Sequence, residues 1–165
     1  MPAARVTSKE RDRLGNLSSL VDCSRVRLYR PDAGAGLMRS VVLLLSGQRA
    51  VALGNHVFLP AHCAHDLPTL AHELVHCGQY QAWGPLRYFA RGAVTQLRDL
   101  LFRRAGLGRS QYRYELEPGK PFSAYGMEQQ GQIVEDSFRG FPVAQAISPF
   151  FPGEQPDESQ ATPSA

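Results

Sequence analysis

Cysteine is scarce in this chain: Cys23, Cys63 and Cys77 are the three among 165 residues. An odd number cannot pair fully into disulfides, and no two of them have the Cys-x-x-Cys spacing of metal or redox pairs. The sequence therefore excludes a disulfide-dense secreted scaffold and favours a reducing compartment. Cys77 follows His76 and would point about 100° away from it on a helix, so we expect Cys77 to pack as a small apolar residue.

Long apolar stretches are absent as well. The longest run lies within residues 40–45, far shorter than the roughly 20 residues of a membrane-spanning helix. Residues 1–16 are polar and lack the apolar core of a secretory signal. We therefore expect a cytoplasmic protein without a membrane span, for which any export would use a route without a cleaved N-terminal signal.

The remaining composition is that of an ordinary globular domain. Hydrophobic residues make up 43% of the chain and charged residues 20%, and the length suffices for one domain with a hydrophobic core. Beyond residue 148 Pro, Ser, Glu and Gln dominate, and no apolar periodicity remains. The sequence predicts a single domain over residues 1–147, without internal repeats, and a disordered tail over residues 148–165.

The net charge of +3 conceals an uneven distribution. Residues 85–109 hold one acid, Asp99, and six arginines, which are Arg87, Arg91, Arg98, Arg103, Arg104 and Arg109. The apolar residues of the same stretch recur at helical spacing and are Leu86, Phe89, Val94, Leu97 and Leu101. The pattern predicts an amphipathic helix with a solvated basic face. No nucleic-acid-binding motif accompanies it, so no nucleic acid is expected as a partner.

The segment from His72 to His76, with the sequence His-Glu-Leu-Val-His, carries the strongest chemical signal. Two histidines four residues apart project from one face of a helix, so their nitrogens can bind the same zinc ion. Glu73 lies beside this face, where a carboxylate can take a proton from a water bound in the metal's open position. The alternative is a chance match in which each histidine is a surface residue or a buried one bonded to a backbone carbonyl.

A helix is expected at this motif for local reasons. Asp66 can cap its start, Pro68 is tolerated in the first turn, and apolar residues recur at helical spacing up to Val75. The histidines lie beside this apolar stripe, which predicts that they line a cleft from which water is partly excluded. Residues 83–85, Trp-Gly-Pro, are expected to break the chain after the motif helix.

Shorter elements are predicted from capping, alternation and turn signals. They are a capped helix over residues 8–15, strands over 25–30, 49–53 and 56–59, an extended segment over 111–116, and a helix over 127–139. The second and third strands form a hairpin at Gly54 and Asn55. Residues 37–45 fit a buried helix or a strand, and periodicity cannot decide between them.

A catalytic zinc ion commonly has three protein ligands and a water, so one more ligand must come from elsewhere in the chain. The residues after His76 do not continue as His-x-x-Gly-x-x-His, which excludes the metzincin class. His56, His62 and His65 precede the motif and remain open as ligands. Glu128 is the stronger candidate, because it begins the later predicted helix.

Four segments resemble a known bacterial family: residues 26–29, 50–59, 70–81 and 121–136, the last of which contains Glu128-Gln129-Gln130. The family is the zincin-like metallopeptidase domain of the HExxH…EQQ type. It is associated with contractile injection systems, with spike-related proteins of type VI secretion and with polymorphic toxins. The resemblance implies an α+β fold in which a small sheet packs on the motif helix and a second helix carries Glu128.

The chain departs from that family at two places. Cys77-Gly78 stands where the family has a bulky apolar pair, and Gln132 stands where many glutamate-zinc peptidases have an aspartate that supports a ligand histidine. Glu135 or Asp136 is then expected to provide that support. Helical spacing places Gln132, Glu135 and Asp136 on the same face as Glu128. Gln129 and Gln130 are therefore expected to point away from the site.

These observations predict a zinc-dependent metallopeptidase of the glutamate-zincin type. Zn²⁺ would be held by His72, His76 and Glu128, Glu73 would act as general base, and Tyr125 or another nearby tyrosine would hydrogen-bond the oxyanion. The expected partners are a peptide or protein substrate and, as the resemblance implies, a secretion-spike or immunity protein. The alternative is a non-catalytic zinc-binding adaptor or assembly module of a secretion system that has kept the scaffold.

Overall fold

Helices and a small sheet alternate along the residues that the computed structural model describes, which are 3–32, 36–105, 113–115, 117 and 119–151. In chain order the elements are α1 (Ser8–Leu14), α2 (Leu17–Leu20), β1 (Arg27–Tyr29), α3 (Leu37–Leu45), β2 (Val51–Leu53), β3 (His56–Phe58), α4 (Leu67–Ala105), α5 (Met127–Phe138) and α6 (Pro142–Ile147). Short 3-10 turns at Ala61–Cys63 and Phe122–Ala124 precede α4 and α5. The fold class is α+β, as the sequence predicts.

The sheet has the strand order β1-β3-β2, so β2 lies at an edge. β1 pairs with β3 in parallel, and β2 pairs with β3 antiparallel, which confirms the predicted hairpin and the predicted first strand. Gly54 in the hairpin turn has a φ of 66°, a conformation that glycine adopts without strain. Leu28, Ala52 and Val57 are buried on one face of the sheet.

The shorter helices follow local signals in part. The predicted capping box is present at the start of α1, where Glu10 N donates to the Thr7 hydroxyl at 3.2 Å and Thr7 N donates to the Glu10 carboxylate at 2.9 Å. The segment that fitted a buried helix or a strand is the helix α3. It is not a buried helix, because Leu43 is buried while Leu37, Leu44 and Leu45 are 82%, 71% and 81% exposed. The helix predicted over residues 127–139 is confirmed as α5. No helix was predicted at α2 or α6, which have four and six residues and are too short to show a period.

The motif helix α4 begins as predicted. Asp66 caps it, since the Asp66 carboxylate accepts a hydrogen bond from Thr69 N at 3.1 Å. The expected break is present at Gly84, where φ is 75° and ψ is 167°, values outside the helical range, and a second helical arm follows it up to residue 105. Pro85 is tolerated because it opens a new helical stretch, where its missing N–H would have no helical partner. The first arm of α4 is residues 67–83, and the second arm is residues 85–105.

The apolar face predicted for the second arm is not buried in the described part of the chain. Leu86, Phe89 and Val94 are exposed by 84%, 49% and 50%. Tyr88, which the pattern did not select, is buried instead and contacts Tyr80 of the first arm edge to face. The arm therefore packs through an aromatic residue close to the kink. The side chains of Leu97, Arg98, Leu101, Arg103 and Arg104 lie outside the described residues, while Arg87 and Arg91 are exposed as predicted.

The hydrophobic core lies between the sheet, α1, α2 and the first arm of α4. Phe150 also belongs to this core and contacts Phe122 edge to face, although it falls in the stretch expected to be a tail. The packed domain therefore extends past residue 147. Residues 152–165, and residues 111, 112 and 116 of the predicted extended segment, lie outside the described residues, while residues 113–115 are described and form no strand. Among the helices of the described residues, none is both long enough and apolar enough to cross a bilayer.

Candidate metal centre

Two packed helices bring the predicted ligands together. His72 and His76 lie on the first arm of α4, and Glu128 lies in the first turn of α5. The two histidine Nε2 atoms are 3.2 Å apart, and Glu128 Oε2 lies 3.9 Å from Nε2 of His72 and 3.5 Å from Nε2 of His76. Tetrahedral zinc ligands are about 3.3–3.5 Å apart when each lies about 2.0–2.1 Å from the metal. The three side chains therefore form a group that can hold a metal ion.

The absence of a side chain at Gly131 allows α5 to approach His72 this closely. A Cβ atom on Gly131 would lie 2.7 Å from His72 Nε2 and 2.9 Å from His72 Cδ2, well inside the roughly 3.5–4.0 Å of a favourable carbon contact. Glycine in the middle of a helix is about 1 kcal/mol less favourable than alanine. Its presence in α5 is therefore explained by the space that the His72 ring needs.

Gly131→Ala is expected to weaken zinc binding by about tenfold or more, because the added methyl group must displace the ring of a ligand histidine. Gly92→Ala on α4 is the matched control, since no atom lies within 4 Å of its added Cβ. Zinc affinity is measured for both by competition with a chromophoric chelator. Equal affinities for the two variants would show that α5 does not need to approach His72 so closely.

His72 is supported on its far side by a carboxylate. His72 Nδ1 donates to Glu135 Oε2 at 3.0 Å, and Arg139 Nη2 donates to Glu135 Oε1 at 2.9 Å and to Asp66 Oδ2 at 2.8 Å. Of the two residues proposed for this support, Glu135 provides it. Asp136 instead accepts a hydrogen bond from the Tyr114 hydroxyl at 2.7 Å.

His76 is supported by an uncharged amide that the sequence did not identify. His76 Nδ1 lies 2.9 Å from Gln79 Oε1, and Gln79 Nε2 donates to Gln130 Oε1 at 3.0 Å. Both glutamines are buried. The expectation that Gln130 points away from the site is therefore wrong, whereas Gln129 does point elsewhere and donates to the Arg113 carbonyl. The start of α5 is enclosed between α4 and the preceding turn, so residues on more than one of its faces are buried.

Glu73 lies buried beside the ligands. Among the described residues, its Oε2 atom is buried and has no hydrogen-bond partner. Burial raises the pKa of Glu73, and this effect is opposed by the nearby histidines. Since a buried polar atom without a partner is costly, this carboxylate oxygen requires an explanation beyond the fold.

The charges of the site are strongly coupled. Burial alone would lower the pKa of His72, but hydrogen bonds with Glu128 and Glu135 outweigh it and raise that pKa to about 10. Burial would raise the pKa of Glu128, but hydrogen bonds with His72 and His76 hold it far below its usual value. The carboxylates therefore favour positive charge at the point where the three donor atoms meet, which is the charge that a metal cation supplies.

The donor atoms open into a cleft of about 1180 Å³. Its walls come from both arms of α4, from α5 and from the edge strand β2, and it contains His72, Glu73, His76 and Glu128. The hydroxyl of Tyr88 donates to the carbonyl of Ala52 on β2 at 2.9 Å. Strand β2, whose Ala52 carbonyl is hydrogen-bonded to Tyr88, therefore forms one wall of the cleft.

Several predicted alternatives are placed elsewhere. Tyr125 does not line the cleft, because its hydroxyl donates to the Glu115 carbonyl at 3.1 Å, whereas Tyr88 does line it. His56 pairs with Tyr29 on the sheet, and His65 pairs with Asp32 at the surface. His62 lines the cleft but is not part of the group of donor atoms. Cys77 is buried with its pKa raised by burial, as expected of a packed residue.

Comparison with known proteins gives one partial match to report. No family model matches the chain, and no solved structure matches it. Over 67 residues, 41% of this chain, it is 43% identical to the type VI secretion system spike protein VgrG2b of Pseudomonas aeruginosa. The matched region is 6% of the length of that spike protein. The chain is thus similar to a small part of a spike protein.

Proposed function

We propose that this protein is a zinc-dependent metallopeptidase. The observation that carries the proposal is the buried group of His72, His76 and Glu128 beside Glu73, whose Oε2 has no hydrogen-bond partner in the described part of the chain. A structural role would leave that carboxylate oxygen unexplained. A catalytic role uses it, because a general base must have a free oxygen facing the reacting atoms.

The donor set suits zinc. Two histidine nitrogens and one carboxylate oxygen are ligands typical of catalytic zinc sites, which keep a fourth position for water or substrate. When bound, zinc lowers the pKa of that water and polarises the scissile carbonyl. The far-side hydrogen bonds from His72 to Glu135 and from His76 to Gln79 leave the Nε2 lone pairs facing the metal position.

Glu73 performs the proton transfers in this proposal. Its Oε2 atom takes a proton from the attacking water and later gives it to the nitrogen of the leaving amine. Burial raises the pKa of Glu73, so the carboxyl group holds the transferred proton more readily than an exposed glutamate would. Positive charge on the histidines opposes this shift in the protein without metal, and a bound cation would oppose it in the same way.

A peptide is the substrate that the cleft fits best. Strand β2 is at the edge of the sheet, and Val51, Ala52 and Leu53 line the cleft. An extended peptide would add along this edge through main-chain groups other than the Ala52 carbonyl, which Tyr88 occupies, and such hydrogen bonds recognise backbone more than sequence. The peptide would then lie along this wall of the cleft.

The proposed context is secretion. The similarity to part of a type VI secretion spike protein supports a role as an effector or processing enzyme of such a system, with a spike or an immunity protein as partner. The competing proposal is a zinc-binding adaptor of the same system. The resemblance of the motif segments to metallopeptidase domains favours the enzyme.

Removal of the metal tests the proposal. The purified protein is expected to contain close to one equivalent of zinc by elemental analysis and to cleave members of an unstructured peptide mixture, as read by mass spectrometry. Chelation should abolish cleavage, and stoichiometric zinc should restore it. Zinc below about a tenth of an equivalent, without uptake at neutral pH, would contradict the site. Full zinc uptake without cleavage of any peptide or partner would favour the adaptor.

A further inference from the structure

The two ligand histidines have unlike supports. His72 Nδ1 meets the charged carboxylate of Glu135, whereas His76 Nδ1 meets the neutral amide of Gln79. Gln79 in turn donates to Gln130, for which the described residues show no hydrogen bond to either histidine. Gln79 and Gln130 are 6% and 8% exposed, so solvent does not compete for these hydrogen bonds.

The backbone next to Gln130 determines which atoms of the Gln79 and Gln130 side-chain amides donate and which accept. Gln130 Nε2 donates to the backbone carbonyls of Tyr125 at 2.8 Å and Ser123 at 3.4 Å. A backbone carbonyl can only accept, so the amide nitrogen of Gln130 must face these two oxygens. Its Oε1 atom therefore faces Gln79 and must accept.

The orientation of the Gln130 amide in turn determines the orientation of the Gln79 amide and the protonated nitrogen of His76. Gln79 Nε2 donates to Gln130 Oε1 at 3.0 Å and to the backbone carbonyl of Met127 at 3.3 Å, so both of its amide protons are used. Gln79 Oε1 is left to face His76 Nδ1 at 2.9 Å, and this nitrogen must carry a proton. The lone pair for a metal is then on Nε2, the atom that faces Glu128 at 3.5 Å.

We propose that Gln79 and Gln130 are positioning residues that act as one amide relay: backbone carbonyls at the start of α5 select the His76 tautomer and hold the Glu128 turn against α4. This inference rests on the proposed metal site. The relay connects His76 on α4 with the turn of α5 that carries Glu128. Gln79 bonds to His76 and also donates to the carbonyl of Met127, which directly precedes Glu128. Gln130 thus acts on His76 through Gln79 and not through a hydrogen bond of its own.

The chain contains a matched control for each glutamine. Gln81 on α4 bonds to Asn55 and Asp22, and Gln129 on α5 bonds to the Arg113 carbonyl and caps its own helix. In the described part of the chain, neither control side chain has a hydrogen bond to His72, His76 or Glu128. Gln79→Ala and Gln130→Ala are each expected to weaken zinc binding about tenfold to a hundredfold, whereas Gln81→Ala and Gln129→Ala stay within about twofold. Thermal unfolding shows that each variant is folded.

Gln79→Glu separates the relay from simple support of a histidine. A carboxylate still accepts the His76 proton, but its second oxygen would face the acceptors Gln130 Oε1 and the Met127 carbonyl. We expect zinc affinity to fall about as far as in Gln79→Ala. Stronger zinc binding by Gln79→Glu, or equal binding by Gln130→Ala and Gln129→Ala, would overturn the relay.

A measurement on the protein without metal tests the relay independently of the proposed metallopeptidase function. Nitrogen-15 NMR of ring-labelled histidine should show a slowly exchanging proton on Nδ1 of His76 in the wild-type protein and in Gln129→Ala. The signal should be lost by exchange in Gln79→Ala and weakened in Gln130→Ala. A wild-type His76 without this proton overturns the relay. Failure of the wild-type protein to bind zinc, with the Nδ1 proton present, instead contradicts the metal site and leaves the relay supported.

Discussion

Glu73→Gln is expected to lower kcat/KM for peptide cleavage by at least about a hundredfold, the lower end of the range for loss of a general base. The amide keeps the size and the hydrogen-bonding capacity of the side chain but cannot accept the proton of the attacking water. Glu73 is not one of the three grouped donor atoms, so the variant should retain its zinc. The measurement combines steady-state kinetics on a cleaved peptide with elemental analysis of the same sample.

The control for this prediction is another glutamate of the chain. Glu117 is largely exposed and pairs with Lys120 at 2.7 Å, so Glu117→Gln should leave kcat/KM within about twofold, as is usual for a surface change. If Glu73→Gln cleaved peptide as fast as Glu117→Gln, Glu73 would not be the base. If both variants also had the same biological effect in cells as the wild-type protein, the function would be better explained by a zinc-binding adaptor than by an enzyme.

Glu128→Ala is expected to weaken zinc binding by more than about a hundredfold, beyond the tenfold to hundredfold that loss of a residue behind a ligand costs. The reason is that Glu128 Oε2 is one of the three donor atoms, 3.5 Å and 3.9 Å from the histidine Nε2 atoms. Its removal also takes away the hydrogen bonds that raise the pKa of both histidines, so the site favours positive charge less. Glu128→Gln, which keeps the shape but offers a weaker oxygen ligand, should show the same direction of change if the alanine variant is unstable.

Two other acids on α5, Glu135 and Asp136, provide comparisons for the loss of zinc affinity expected in Glu128→Ala. Glu135→Ala removes the support of His72 and should remain within the tenfold to hundredfold range. Asp136→Ala removes a partner of Tyr114 and Gln132 only, so it should leave zinc affinity almost unchanged. If Glu128→Ala lost no more affinity than Asp136→Ala, Glu128 would not be the third ligand. A helix-end effect on stability of about 0.3–1 kcal/mol would then be its remaining role.

The local part of the site was predictable from the sequence. His72, Glu73 and His76 belong to one helical turn, and Asp66 caps that helix as its position predicts. A period of 3.6 residues is sufficient to place both imidazoles on one face. The same kind of short-range signal predicted the Gly54 hairpin and the capping box of α1, because turn chemistry and capping involve residues at most four positions apart.

The residues behind the ligands were not predictable in this way. A helical wheel for α5 places Gln132, Glu135 and Asp136 near Glu128, but it does not specify how far α5 is rotated about its own axis. Packing across α4 selected Glu135 over Asp136 and buried Gln130 as well. One signal for this was the glycine at 131, since glycine in a helix interior indicates a close approach of another group.

By itself, then, the sequence determined the helical turn that carries His72 and His76 and, through the resemblance of its motif segments, the α+β class. It also selected Glu128 as the leading candidate for a third ligand. Tertiary structure alone decided two features: Gln79 and Gln130 behind His76, and Tyr88 in place of Tyr125 along the cleft. The physical reason is range. Periodicity and capping act within one or two turns of the chain, whereas these features depend on contacts between residues 36 to 51 positions apart, whose geometry is set by the packing of whole elements.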